Sequence, residues 1–150
     1  MNIIELHSVS DSQISDLQAL MKELAPDLTM TADMLQNTVE SHNNHLFTAM
    51  DEDQRIVGCA SLCVFESPTG RKASVEDVVV LSSYRGHHLG KALMEYLIDY
   101  ACNELKDVDL HLTSHPTRVA ANKLYQSLGF EFRGTNFYRM KIRNSMVKDK

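Results

Sequence analysis

The sequence is poor in the residues that mark unusual classes of protein. It has no tryptophan, three prolines, six glycines and three cysteines among 150 residues. So little glycine and proline excludes collagen-like and low-complexity chains, and a hydrophobic share of 43% excludes a disordered one. A chain of this length fits one domain of ordinary size. We therefore expect a single folded domain over residues 1–143 and a polar tail over residues 144–150.

An excess of basic residues and a long apolar run are also missing. Lys and Arg number 15 against 20 Asp and Glu, and the formal net charge of -5 argues against nucleic acid as a partner. No apolar run approaches the roughly 20 residues that a membrane-spanning helix requires, and the first residues do not resemble a secretory signal. We therefore expect a cytoplasmic protein with no membrane partner.

The cysteines and histidines do not form a pattern typical of a metal site. Cys59, Cys63 and Cys102 are odd in number and lack the CxxC spacing, which predicts reduced thiols rather than disulfides. Cys59 and Cys63 are about 13 Å apart if they lie on one strand, too far to share a zinc ion. The neighbours His87 and His88 have no acidic or thiol residue close in sequence. We expect no metal.

The alternation of strand-like and helix-like patterns predicts a mixed α/β fold. A capping box at Ser10 and Gln13 opens a first helix that Pro26 ends, and Thr31 caps a second helix. A long helix from Leu89 and another opened by Pro116 complete a set of four. Strands are predicted at Ile3–Val9, Leu46–Met50, Arg55–Phe65, Lys72–Leu81, Val108–Thr113, Phe130–Gly134 and Asn136–Ile142. The strand–helix–strand order around Leu89 predicts two parallel strands within a mixed sheet.

The loop between the apolar strand end Val78-Val79-Val80-Leu81 and the long helix is the most informative segment. Backbone N–H groups at a helix start lack an intrahelical acceptor and favour a bound phosphate. Arg85 and Lys91 flank the loop and add positive charge. A plain strand-to-helix turn would contain the same residue types, so local features leave both interpretations open.

Two motifs together resemble those of the GCN5-related N-acetyltransferases. The segment Arg85-Gly86-His87-His88-Leu89-Gly90 is similar to the family's pyrophosphate loop, which is Gln or Arg, two residues, Gly, one residue, then Gly or Ala. His88 stands where the family usually has its first glycine. Leu124-Tyr125, followed by Gly129-Phe130, resembles the family's second signature. The resemblance implies a mixed sheet of about six to seven strands flanked by about four helices, with two central parallel strands that splay apart.

The resemblance also implies that acetyl-CoA binds as cosubstrate in the gap between those strands. The three valines would offer main-chain groups to the pantetheine arm while packing their side chains in the core, and the loop would enclose the pyrophosphate. The family's usual asparagine lies seven residues before the tyrosine, where this chain has Arg118. The implied cofactor-binding residues are Val78, Val79, Val80, Arg85, Gly86, His87, His88, Leu89, Gly90, Lys91 and Asn122.

The implied catalytic residues are Tyr125 and Glu76. In many family members the tyrosine gives a proton to the departing thiolate, although a tyrosine at this spacing also fits a helix core. Glu76 and Asp77 point to opposite faces of a strand, so at most one faces the acceptor, and we favour Glu76 as proton acceptor. A carboxylate paired with a neighbouring cation, or a proton path through water, would fit the sequence as well.

These residues predict an N-acetyltransferase in which a primary amine attacks acetyl-CoA directly within a ternary complex. We expect a small-molecule acceptor. The alternatives are a protein N-terminal or lysine acetyltransferase, which takes a peptide amine, and a non-catalytic acyl-CoA-binding regulatory module. Family members are often dimers, which suggests a homodimer by analogy. The segment Thr113–Arg118 lines the acceptor pocket or contacts coenzyme phosphates, or it reflects cap and turn chemistry alone.

Overall fold

A computed structural model describes residues 1–144 and shows one sheet with helices on both faces. The strands are β1 (Asn2–Leu6), β2 (Asn44–Met50), β3 (Ile56–Ser67), β4 (Gly70–Val80) and β5 (Asp109–His111). The α-helices are α1 (Asp11–Leu24), α2 (Ala32–Glu40), α3 (Leu89–Tyr100) and α4 (Val119–Ser127), with a π-helical turn at Ala101–Leu105 after α3. Neighbouring strands are antiparallel except for β4 and β5, which are parallel. The predicted mixed fold with four helices is confirmed, with five strands in place of six to seven. Of the predicted tail, residues 145–150 lie outside the described residues.

Side-chain caps determine where the first two helices begin. The Ser10 hydroxyl accepts a hydrogen bond from the Gln13 amide at 3.3 Å, and the Gln13 side chain accepts one from the Ser10 amide at 2.9 Å. This reciprocal pair satisfies two amides that the helix itself leaves free. Thr31 caps α2 in the same way by accepting from the Met34 amide at 3.2 Å. Both predicted helix starts are confirmed.

Two apolar cores hold the sheet between its helical layers. On one face, α1 and α2 bury Leu17, Leu20 and Leu35 against side chains of β2 and β3. On the other face, α3 buries Leu93 and Leu97 against the same strands. Complete burial of a leucine contributes about 1.5–3 kcal/mol. The sheet is therefore fixed on both sides, and β4 is held firmly in place.

Strands β4 and β5 separate soon after they pair. Their pairing is limited to Lys72 with Asp109, Ala73 with Leu110 and Ser74 with His111. β4 continues to Val80, so from Val75 onward its outer edge has no strand neighbour among the described residues. The predicted splaying of the two parallel strands is confirmed, and it leaves a gap in the sheet.

The prediction of two final strands, Phe130–Gly134 and Asn136–Ile142, is wrong: the structure has no strand after α4 up to residue 144. The sequence alternates as a strand should, but alternation produces a strand only where another strand offers hydrogen bonds. Phe130 packs against the core, but the apolar side chains after it are exposed, namely Phe132 (85%), Phe137 (70%), Tyr138 (85%), Met140 (75%) and Ile142 (74%).

The prediction that Pro116 opens the last helix is also wrong, because α4 begins three residues later at Val119. His115 forms a turn here: its ring accepts a hydrogen bond from the Thr117 amide at 3.2 Å, and its carbonyl accepts one from the Arg118 amide at 3.0 Å. The predicted strand Val108–Thr113 likewise shortens to β5. The segment 112–118 is thus a loop that runs along the gap in the sheet.

Candidate active site

A cleft of about 1540 Å³ opens where β4 and β5 separate. Ordinary small-molecule sites measure roughly 300–1,000 Å³, so this cleft can hold a long ligand. Its walls are the end of β4, the start of α3, the loop before α4, α4 itself and part of the C-terminal segment. It brings together ten of the predicted site residues: Val78, Val79, Val80, Arg85, Gly86, His88, Leu89, Gly90, Lys91 and Tyr125. Three others, Glu76, His87 and Asn122, are not part of these walls.

The loop before α3 has the backbone of a glycine-rich turn although His88 stands where the family pattern has a glycine. Gly86 has φ +80°, and His88 has φ +60° and ψ 20°, the left-handed region in which glycine is favoured. His88 is therefore in the conformation that explains the family's usual glycine at this position. Both His87 and His88 are exposed, and His88 is part of the cleft walls.

The first turn of α3 presents free amides at the cleft. Leu89, Gly90 and Lys91 are its first three residues, and within the described chain no acceptor lies on their N–H groups. A Cβ on Gly90 would lie 3.9 Å from Val80 and 4.0 Å from Leu124, so the helix start packs closely between β4 and α4. Three such amides and the positive end of the helix dipole favour an anion at this point.

Arg85 connects this loop to the opposite layer of the fold. Its guanidinium donates to the Glu23 carboxylate at 3.1 Å and to the Val80 carbonyl at 3.0 Å. Glu23 also accepts from the Ser82 amide at 2.8 Å. These bonds fix the chain between β4 and α3. Sequence reasoning did not find Glu23, because a contact between residues 62 positions apart leaves no local pattern.

Tyr125 lies at the inner wall of the cleft. Only 6% of the residue is exposed, and its ring packs edge-on against Phe130 with 6.2 Å between ring centres. Burial raises the pKa of the Tyr125 hydroxyl, and the Arg118 guanidinium beside it opposes that shift. Arg118 was noted in the sequence only as a departure from the family pattern. Its spacing of seven residues from Tyr125, two helical turns, is the signal that places both on one face.

Asn122 and the two acidic residues of β4 have partners of their own. The Asn122 amide donates to the His115 carbonyl at 3.1 Å, which supports the loop before α4. Glu76 accepts from the Ser74 hydroxyl at 2.6 Å. Asp77 lies at a β-bulge with φ +52°, and desolvation, followed by the charge of Glu76, raises the pKa of its carboxyl. The carboxylates thus lie beside the open edge of β4 but outside the cleft walls.

A family profile described as the Acetyltransferase (GNAT) family matches residues 10–130, which is most of the chain. The chain belongs to the GNAT acetyltransferase family. The matched range includes strands β2 to β5, the loop before α3 and Tyr125. The GNAT enzymes use acetyl-CoA, and the family assignment made from the two sequence motifs is confirmed.

Individual GNAT proteins are similar at low identity. Human N-acetyltransferase 8 is 25% identical over 116 residues, which are 75% of this chain and 51% of the human protein, so the chain spans about half the length of that relative. The structure of AAC(6')-Iy with the bisubstrate analogue CoA-S-monomethyl-acetylneamine has a TM-score of 0.74 at 20% identity, covering 94% of this chain and 98% of the other. Glucosamine-6-phosphate N-acetyltransferase from Arabidopsis thaliana has a TM-score of 0.73 at 21% identity, covering 93% and 97%. At these identities the two structures support the fold alone.

The described residues contain neither a metal-binding group nor a membrane-spanning helix. Between residues 1 and 144, no group of three His, Cys, Asp or Glu side chains is arranged to hold a metal ion. No helix in this part of the chain has both the length and the apolar character needed to cross a bilayer.

Proposed function

We propose that the chain is an acetyl-CoA-dependent N-acetyltransferase that acts on a small-molecule primary amine. The observation that carries this proposal is the position of Tyr125, buried in the cleft between the free edge of β4 and α4. A small-molecule acceptor is supported by two similar GNAT structures, one bound to an acetylneamine analogue of CoA and the other a glucosamine-6-phosphate N-acetyltransferase.

The residues of the cleft fit acetyl-CoA. The amides of Leu89, Gly90 and Lys91 would receive the pyrophosphate, and Gly86 and His88 leave the loop backbone accessible beside them. The main-chain groups of Val78–Val80 on the outer edge of β4, apart from the Val80 carbonyl that accepts from Arg85, would receive the pantetheine arm, which could bond to them as a strand would. The coenzyme brings the acetyl thioester.

The proposed reaction is a direct transfer. The amine nitrogen attacks the thioester carbonyl carbon, so an N–C bond forms and the C–S bond breaks. The sulfur leaves as a thiolate and takes the proton of the Tyr125 hydroxyl. A lysine-like amine has a pKa of about 10.4 and must lose a proton before or during attack. We propose Glu76 as the group that takes it. Asp77 is the alternative, and desolvation together with the charge of Glu76 raises the pKa of its carboxyl.

The test measures release of the CoA thiol with a panel of amines, in wild type and in Tyr125→Phe. We expect kcat to fall about a hundredfold in Tyr125→Phe while acetyl-CoA affinity changes little, because the hydroxyl acts on the leaving sulfur. Tyr96→Phe is the matched control, since Tyr96 lies on α3 against Phe47 and outside the cleft walls.

Three results would contradict the proposal. Acetyl-CoA binding without turnover on any amine would indicate a regulatory module. Turnover with peptides alone would indicate a protein acetyltransferase. Equal kcat in wild type and Tyr125→Phe would remove Tyr125 from the mechanism.

We further propose that the chain works as a homodimer in the cytoplasm, where its three free cysteines would stay reduced. β5 is an edge strand, and Tyr138, Met140 and Ile142 form an exposed apolar row that alternates with Arg139 and Lys141. An exposed row of this kind is typical of a segment that pairs with another chain.

Charge supports pairing between the C-terminal segment of one copy and β5 of the second. Asp107 and Asp109 are exposed at β5, while Leu110 beside them packs towards the core. A strand of period two that is laid along β5 can set its apolar row beside Leu110 and its basic row beside the two aspartates. The second copy is thus the proposed occupant of this edge.

A further inference from the structure

We propose that Asp51 is a positioning residue for the loop before α3: its carboxylate holds the hydroxyl of Tyr84 and so keeps the loop in the shape that presents free amides to a pyrophosphate. This inference rests on the proposed function, because it assumes that the loop receives the pyrophosphate of acetyl-CoA. Asp51 lies in the turn between β2 and β3, outside both sequence motifs and outside the cleft walls.

The two oxygens of the Asp51 carboxylate have different partners. Oδ1 accepts hydrogen bonds from the amides of Asp53 and Arg55, each at 3.0 Å, and so closes the turn between β2 and β3. Oδ2 accepts a hydrogen bond from the Tyr84 hydroxyl at 2.8 Å. These bonds lower the pKa of the Asp51 carboxyl, the Arg55 amide most and the Tyr84 hydroxyl next. The carboxylate is therefore ionised at neutral pH and can only accept, so the phenol donates to it.

Tyr84 is held at both ends of its side chain. Its ring packs against the core that α3 shares with the sheet, and its hydroxyl is bound to Asp51. Its amide donates to the Leu81 carbonyl at 2.8 Å, which forms the short 3₁₀ turn Ser82–Tyr84. Because the turn that contains Asp51 joins two paired strands, the hydroxyl ties the loop to a rigid part of the fold across 33 positions of sequence.

The second half of the loop has no backbone hydrogen bonds that would hold it. Between residues 1 and 144, no main-chain carbonyl accepts from the amides of residues 86–88. These amides directly precede the free amides in the first turn of α3. Their placement therefore depends on the two residues before them, Tyr84 and Arg85, whose side chains are held by Asp51 and by Glu23.

The first experiment needs no amine. Isothermal calorimetry measures acetyl-CoA affinity in wild type, Tyr84→Phe, Asp51→Ser and the double variant. Serine keeps one oxygen that can accept from the turn amides, but it has no second oxygen for Tyr84. We expect each single variant to bind about tenfold more weakly, because a hydrogen bond to a charged group is lost and the ligand must then order the loop. The double variant should bind no more weakly than either single one, because both changes remove the same bond.

Two calorimetric results would overturn the inference. One is wild-type affinity in Tyr84→Phe. The other is an additive loss in the double variant, since the Tyr84 hydroxyl would then contact the coenzyme independently of Asp51. Asp53→Ser is the matched control, because Asp53 lies in the same turn and contributes its amide there rather than its carboxylate. It should keep the wild-type affinity.

The second experiment separates positioning of the loop from general support of the fold. Steady-state kinetics compare acetyl-CoA with S-acetylpantetheine, which has the same thioester but no pyrophosphate. We expect Tyr84→Phe and Asp51→Ser to raise KM for acetyl-CoA about tenfold and to leave kcat within about twofold. Their kcat/KM for S-acetylpantetheine should stay unchanged. An equal loss with both donors would mean that the bond supports the whole cleft, and it would overturn the inference.

The outcomes also separate this inference from the proposed function. Tyr84→Phe removes a single oxygen, so it covers the case in which Asp51→Ser does not fold. Failure of every amine to react, with the calorimetric loss still observed, would count against the proposed function alone. A wild-type protein that does not bind acetyl-CoA would overturn both.

Discussion

His88 shows how one residue can keep the conformation of a motif that it departs from. Its left-handed backbone is the geometry that a glycine would adopt freely, and here a side chain with a Cβ adopts it. The residue is exposed, so no packed neighbour forces its backbone into this conformation. The backbone at position 88 therefore has the conformation that the family pattern requires, although its residue type differs from that pattern.

Substitutions at His88 measure that strain. We expect His88→Gly to raise the free energy of unfolding by up to about 1 kcal/mol, since relief of left-handed strain slightly exceeds the entropy that glycine loses. His88→Val should lower it by about 1–2 kcal/mol, because β-branched side chains tolerate positive φ poorly. Urea unfolding of the three proteins gives both values. At the neighbouring position His87, where φ is not positive, His87→Val is the control. If Gly and Val at position 88 gave the same stability, the left-handed assignment would be wrong.

At the residue scale, the sequence predicted those site residues that belong to continuous motifs. Tyr125 and the loop Arg85–Gly90 were found because their neighbours in the chain identify them. Glu23 was not found, because its contact with Arg85 depends on how separate segments pack. The structure brings ten of the predicted site residues to one cleft, and the roles of all the predicted site residues stay predictions.

Among the elements, α3 connects the core to the proposed anion site. Its buried leucines fix it against the sheet, and its first turn presents amides to the cleft. A charge placed in that turn should therefore change ligand affinity without disturbing the fold.

We expect Gly90→Glu to weaken acetyl-CoA binding at least tenfold more than Gly90→Gln, which has the same size without the charge. The carboxylate would repel the pyrophosphate, while an acidic residue in the first turn stabilises the helix itself by about 0.3–1 kcal/mol. Isothermal calorimetry gives the affinities, and thermal unfolding confirms the fold. Equal affinities in the two variants would place the pyrophosphate away from α3.

Elements defined by local signals agree best with their sequence prediction. The capping side chains of Ser10 and Thr31 mark true helix starts. The alternation of residues 130–142 has the correct period for strands but no partner within the described chain. Pairing depends on distant segments, or on a second molecule, and neither can be read from period alone.

For the whole molecule, the proposed homodimer predicts a measurable mass. Light scattering after size exclusion should give about twice the 17.0 kDa of one chain. Met140→Asp should raise the dimer dissociation constant at least tenfold, because it removes apolar contact and places a negative charge near Asp107 and Asp109.

The matched control for this measurement is Met34→Asp. Met34 is also an exposed methionine, at 47%, but it lies on α2, away from β5 and the C-terminal segment. It should leave the mass unchanged. A wild-type protein that stays monomeric at micromolar concentration would contradict the proposed assembly.

The gap beside β4 affects which amino-acid substitutions the chain can accept during evolution. Main-chain N–H and C=O groups are identical whatever side chain they carry, so contacts made along Val78–Val80 would survive most substitutions there that preserve the strand. The side chains that line the amine-binding part of the cleft can then change under mutation and selection. Ancestral proteins could in this way have acquired new acceptors one wall residue at a time while keeping the same donor.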